Sequence, residues 1–168
     1  MGIFLGLRRI VAVSLFMLAA PFATGVAAKT ADAGCAPGIV DIRGDFGSIR
    51  FRVELALTPQ EQARGLMYRE TMPRGAGMLF VYPREANVAF WMRNTLIPLD
   101  MIFVDASGVI VRVHDNAVPL DETPIPAGAP TLAVLEINGG MAGKIGIDAG
   151  DELRSAALPQ EKALWACD

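Results

Sequence analysis

Ser48-Ile49-Arg50-Phe51-Arg52-Val53-Glu54-Leu55-Ala56-Leu57 alternates without a break. Ile49, Phe51, Val53, Leu55 and Leu57 fall on one side and Arg50, Arg52, Glu54 and Ala56 on the other. That period of two is what a strand with one buried and one wet face requires. The pattern changes at Thr58-Pro59-Gln60-Glu61. Thr58 can cap the free amides of a first helical turn, Pro59 suits its first position, and Glu61 stands where a capping box places its acid. A short helix is therefore predicted from Pro59 to about Arg64, ending at Gly65, which tolerates positive φ.

Downstream, Pro73, Gly75 and Gly77 mark a loop before Met78-Leu79-Phe80-Val81-Tyr82, an apolar run short enough for a buried strand. Residues 83–85 read as a turn and 87–92 as another strand. Residues 99–105 are apolar on both faces, as in a strand covered on both sides. With the turn at 105–108 and the alternating residues 109–115 they read as a hairpin. Pro119, Pro124, Pro126 and Pro130 make residues 118–130 an exposed ordered loop. Residues 131–137 are strand-like, 141–147 fit one helical turn, 152–157 a last strand, and 159–168 a short capped helix. No segment repeats. The expectation is a mainly β domain, a compact antiparallel β barrel or sandwich with one or two short helices.

Upstream, order is expected to begin at Ile39, after a small-residue linker over residues 29–37. Residues 1–28 read as a signal peptide: Arg8 and Arg9, an apolar run from Ile10 to Ala20, and the small-residue site Val26-Ala27-Ala28. The run is shorter than the ~20 residues that span a bilayer, which disfavours an uncleaved anchor and any stable membrane insertion after cleavage. A twin-arginine leader and a lipoprotein site at Cys35 are the weaker readings, the second because Asp32 stands where an aliphatic residue is wanted. Periplasmic or secreted residence in a bacterial envelope follows. The domain is expected over residues 38–158, with a tail over 159–168.

Without residues 1–28 the chain has 140 residues, enough for one core, and 13 basic against 18 acidic side chains, a net charge of −5. That balance argues against nucleic acid, whose phosphates call for a basic face. Cys35 and Cys167 are the only cysteines in the sequence. In an oxidising compartment the simplest arithmetic pairs them; the alternative is two free or separately used thiols.

One histidine, His114, allows no multi-histidine metal site, and no metal or other cofactor is expected. The methionines left after the leader sit largely in apolar strand runs, where they fill core gaps. More informative are polar residues embedded in apolar blocks: Asn94 and Thr95 closing a strand, Asp100 opening one, and Glu136 between Leu135 and Ile137. Buried bare, each would cost about 1–3 kcal/mol or more, so each needs a partner. Arg64, Arg69 and Arg93 are the candidates, since a guanidinium can hold a carboxylate by two parallel bonds.

The blocks Arg64-Gly65-Leu66-Met67-Tyr68-Arg69, Gly77-Met78-Leu79-Phe80, Phe90-Trp91-Met92-Arg93-Asn94-Thr95, Ile97-Pro98-Leu99-Asp100, Leu135-Glu136-Ile137-Asn138 with Gly140, and Gly150-Asp151 resemble, in order and spacing, the family called domain of unknown function 192. The resemblance spans about residues 39–153. It implies a compact β-rich bacterial domain, often exported, of unassigned biochemical role. The family usually carries Lys at the position of Arg93, which keeps the charge. The tail with Cys167 lies outside it.

The functional expectation is a non-catalytic module binding a small anionic or hydroxylated ligand. Its site would lie where Arg69, Arg93, Asn94 and Asp100 converge beside loop 118–130, supported by a polar network of Arg64, Thr95 and Glu136. Two other classes are open. A hydrolase would use Asp100 and Glu136, or His114, as acid and base. A structural interaction domain would expose Trp91 or the loop to a protein partner.

Overall fold

The alternating stretch becomes β2 (Gly47–Ala56), joined by a tight turn to the antiparallel β1 (Ile39–Gly44). These assignments come from a computed structural model, which describes residue 2 and residues 35–167. The leader expected over 1–28 lies outside the described residues apart from residue 2, as does the linker up to residue 34. Phe51 and Val53 are buried and Arg50, Arg52 and Glu54 exposed, as the alternation requires. Ala56 departs from it, being fully buried in a second apolar cluster, while Leu57 is exposed.

Helix α1 (Pro59–Arg64) follows with the capping box intact. The Glu61 amide donates to Thr58 Oγ1 at 3.2 Å, and the Glu61 carboxylate accepts from the amides of Leu57 and Thr58, each at 2.9 Å. Gly65 closes it at φ 48°, where a side chain would also crowd the Phe80 ring at 3.2 Å. The helix and the loop after it form a crossover, because β3 (Ala76–Ala86) lies parallel to β2. This one parallel pair needs a long connection, whereas antiparallel neighbours do not.

Strand β3 runs through residues 83–85, where a turn was expected. Pro83 is tolerated because the ladder to β8 (Thr131–Asn138) skips there, from the pair Val81 and Ala133 to the pair Ala86 and Thr131, so no bond is asked of it. The strand expected at 87–92 shrinks to β4 (Ala89–Phe90), which pairs with β7 (Ile125–Pro126), a two-residue strand inside the proline-rich loop. The expected hairpin forms from β5 (Leu99–Val104) and β6 (Ile110–Ala117). Helix α2 (Met141–Ile145) and β9 (Glu152–Arg154) complete the chain of elements.

The main sheet has the order β6-β5-β8-β3-β2-β1-β9 and curls into a half-barrel. Its two edges meet at one end. Leu153 donates its amide to the Gly108 carbonyl at 2.7 Å, and Ile110 donates to Asp151 at 2.8 Å. A cluster around Val40, Phe51, Leu79, Ile102 and Leu135 fills one face. The other face carries Leu66, Met78, Phe80, Met92, Met101, Phe103 and Val134. β5 and β8 are covered on both sides, as the apolar letters on both faces of β5 imply, Asp100 excepted.

The tail is not the helix expected at 159–168; it is irregular through residue 167. Trp165 holds it down, with the guanidinium of Arg43 4.6 Å and that of Arg154 4.3 Å from the ring. The Leu164 amide donates to the Ser107 carbonyl at 2.9 Å. Cys35 and Cys167 are joined by a disulfide, with Cα atoms 5.6 Å apart and a sequence separation of 132. No helix among the described residues is long and apolar enough to cross a membrane.

Candidate functional site

On β8, Leu135 and Ile137 face the first cluster, so Glu136 must face the second. Its cross-strand neighbours are Met78 on β3 and Met101 on β5. The residue is only 4 % exposed. No described residue donates a hydrogen bond to it, and no polar side-chain atom among them is both fully enclosed and unpaired. Its carboxyl therefore opens onto a hollow, a cavity of about 110 Å³ between the sheet, α1 and residues 89–95.

Phe80 and Tyr82 line that cavity from β3 and Phe90 from β4, with Trp91 and Thr95 beyond. Phe80 and Phe90 meet edge to face at 5.1 Å, which holds both rings in place. Gln62 and Arg64 come from α1. Gln62 donates from Nε2 to the carbonyls of Ala56 at 3.2 Å and Val81 at 2.9 Å, pinning the helix over the hollow. The Thr95 hydroxyl is occupied by the Arg93 carbonyl at 3.3 Å.

Burial without a partner raises the Glu136 carboxyl from its ordinary 4.5 to about 8. The Tyr82 phenol is likewise pushed to about 12, first by burial and then by the negative charge of Glu136. A folded-state acid raised in this way binds its proton more tightly than the unfolded chain does. Stability is then fully present below about pH 4.5 and is lost as the pH rises toward 8. The expected result is a fall in unfolding free energy on the order of 2–5 kcal/mol between pH 5 and pH 8.5. Glu136→Gln should flatten that slope; urea titrations of both proteins at the two pH values measure it, and equal slopes would contradict the assignment.

The seven residues singled out from the sequence divide. Arg64, Thr95 and Glu136 share this cavity, although no hydrogen bond links them. Arg69, Arg93, Asn94 and Asp100 do not converge, and none of the four lines it. Arg69 instead forms a two-pronged pair with Glu54 at 2.5 and 2.6 Å on the surface. Arg93 lies 3.9 Å from Glu122 and 5.7 Å from the centre of the Trp91 ring, in the open. Asn94 turns the chain at φ 54° and reaches the Met67 sulfur at 3.9 Å.

Asp100 is fully buried and accepts three backbone amides: Asn116 and Gly140 at 2.7 Å on Oδ1, and Ala142 at 2.6 Å on Oδ2. It ties β5 to the end of β6 and the start of α2. Asp115 lies against it, and its carboxyl is raised by burial and by the charge of Asp100. Asp100 pairs with Ile137 across the ladder, so it occupies the face opposite Glu136 and the two cannot serve as one acid–base pair. His114 lines a separate groove with Asp115, Asp121 and the proline-rich loop. No group of three or more potential metal-ligating side chains occurs among the described residues.

Three non-glycine residues near the cavity have positive φ: Tyr68 (63°), Asn94 (54°) and Leu120 (65°). They are linked, with the Tyr68 amide donating to Asn94 O at 2.8 Å and the Leu120 amide to Thr95 O at 3.2 Å. Tyr68, Trp91, Leu96 and Leu120 are all exposed there.

Reading the sequence alone missed Tyr82, Phe80, Phe90 and Gln62 as cavity walls. The one visible signal was Glu136 itself, a carboxylate out of place in an apolar strand.

The blocks that build this cavity and the Asp100 tie fall within the match of a family model, DUF192, described as an uncharacterized ACR, which covers residues 40–155. The chain belongs to DUF192. A crystal structure of a protein of unknown function from Novosphingobium aromaticivorans is 50% identical to this DUF192 chain, with a TM-score of 0.68 over 69% of this chain and 83% of that one. A protein described as a putative transcription regulator from Sinorhizobium meliloti is 38% identical, also at 0.68, over 73% of this chain and 96% of its own. No curated protein matches the DUF192 chain.

Proposed function

We propose that this DUF192 protein is a non-catalytic module of the bacterial envelope that binds a small ligand in the Glu136 cavity. One observation carries the reading: Glu136, 4 % exposed and with no hydrogen-bond partner among the described residues, at the floor of an aromatic-walled hollow. An unpaired buried carboxyl weakens the fold, and such groups concentrate where a ligand completes them. Arg69 and Arg93, which suggested an anion, are engaged elsewhere, Arg64 stands only at the exposed mouth, and the charge that Glu136 carries when ionised repels an anion. That leaves hydroxylated or otherwise hydrogen-bonding ligands with few heavy atoms, since a cavity of about 150 Å³ already holds benzene. The disulfide supports residence in an oxidising compartment.

The test is a thermal-shift screen of the oxidised protein against small alcohols, polyols, amines and carboxylates, repeated on Glu136→Leu. A ligand that binds only the native state raises its melting temperature. Glu136→Leu should be more stable than the parent by about 1–3 kcal/mol at pH 8, because it removes an unpaired carboxyl from apolar surroundings. It should also lose every ligand-induced shift. Shifts that persist in the variant would place the site elsewhere.

A second reading has its own support. Exposed Tyr68, Trp91, Leu96 and Leu120 around a strained backbone suit a protein-binding surface at the mouth of the cavity.

A further inference from the structure

We propose that the Glu136 cavity receives the ammonium end of a small organic cation, a primary or methylated amine, with Glu136 as its counter-ion. The inference rests on the reading of the cavity as the ligand site and adds the chemical class.

The cavity holds a negative group at its floor, and its one positive group among the described residues, Arg64, stands at the exposed rim without a hydrogen bond to it. Arg69 is held by Glu54 and Arg93 by Glu122 and Trp91, both at the surface. Arg64 is exposed at the mouth. Around the carboxyl, β3 presents Met78 and Tyr82 and β5 presents Met101. Residues 89–95 present Phe90, Trp91 and a Thr95 hydroxyl already bonded to backbone. Among the described residues, the charged or titratable groups at the cavity are thus Glu136, Tyr82 and the rim Arg64. A guest that brings its own positive charge completes the carboxyl.

The walls favour the same class. Phe80, Tyr82, Phe90 and Trp91 carry negative ring faces, which attract ammonium groups once water is excluded. Trp91 already draws one cation, the Arg93 guanidinium, to 5.7 Å from its centre at the rim. A volume of about 110 Å³ admits an ammonium head with a short apolar stem.

The empty site holds a proton at neutral pH, because burial raises Glu136 to about 8. Uptake of an ammonium ion releases that proton to solvent, so the charge inside changes from a neutral acid to a neutral ion pair. Affinity should therefore rise about tenfold per pH unit from pH 6 to pH 8 and level off above. A neutral guest shows no such rise.

The experiment is isothermal titration of the oxidised protein with n-butylammonium and tetramethylammonium, against 1-butanol and tert-butanol as uncharged analogues. It is run from pH 6 to pH 9 in two buffers of different ionisation enthalpy, which count the released proton. The ammonium ions should bind at least tenfold more tightly than the alcohols at pH 8.5. Glu136→Gln should abolish that preference, and Trp91→Leu, at an exposed ring, should weaken the ammonium ions severalfold while near-ultraviolet circular dichroism confirms the fold. Alcohols that bind as well as the ammonium ions, with no pH dependence, would overturn the cation class and leave the ligand cavity standing. Failure of every cation and alcohol at millimolar concentration, with Glu136→Gln and the parent equally inert, would overturn both.

Discussion

Asp100→Ala should lower the unfolding free energy by about 3–5 kcal/mol, the largest effect of any single side chain described. The carboxylate accepts amides from Asn116, Gly140 and Ala142 at 2.6–2.7 Å, and it is fully buried. Alanine leaves three donors without their acceptor, that of Ala142 buried and those of Asn116 and Gly140 partly so, and each unpaired buried donor costs about 1–3 kcal/mol. Water entering the gap would recover part of the loss, hence the range below the full sum. Asp100→Asn keeps one acceptor but turns an N–H toward the amides, so it should fall between parent and alanine. Chemical denaturation of the three proteins reads the series. A loss under about 1 kcal/mol for alanine would mean that the amides find other partners. Glu136 on the opposite face should be affected only through stability, so ligand-induced shifts should survive in Asp100→Asn wherever it remains folded.

Removing the Cys35–Cys167 disulfide should cost on the order of 4 kcal/mol, through the unfolded chain more than the folded one. The bond closes a loop of 132 residues, nearly the whole described chain. Trp165, gripped by Arg43 and Arg154, and Leu164, bonded to Ser107, keep the tail docked when the bond is absent, so the native fold should persist. The distinguishing sign is in the denaturant dependence: the double variant Cys35→Ser with Cys167→Ser should unfold at lower urea and with a steeper slope, because its unfolded state exposes more surface. An unchanged midpoint would show that the unfolded chain is already compact without the bond.

What could be read from the letters follows from how local each cause is. β2 was legible because its partners are uniform, apolar below and water above. The capping box of α1 was legible because Thr58 and Glu61 carry both halves of it within four residues. Pro83 was misread as a turn because its tolerance depends on β8 skipping a stretch of ladder some fifty residues later. The tail was misread as helix because what holds it, two guanidiniums on Trp165, comes from β1 and β9. The same reason scattered the expected site. Arg69 and Arg93 found Glu54 and Glu122, surface acids that no pattern distinguishes from others. Asp100 found backbone amides, which have no letter at all. Glu136 alone announced itself, by breaking the apolar run of β8. Its surroundings did not, since they come from α1, β3 and the stretch after β4, brought together only by the parallel crossover.

That crossover has a mechanical consequence. None of the residues in α1 is buried, and its side-chain tether to the sheet is the pair of bonds from Gln62. The roof of the hollow is therefore attached far more loosely than its floor, which lies in the centre of a seven-stranded sheet. Those two amide contacts can break without disturbing a single strand pairing, while Ala56 and Leu66 on either side of the helix stay anchored in the core. Rearrangement of the side chains over the hollow is thus uncoupled from the strand ladder that forms the frame beneath it.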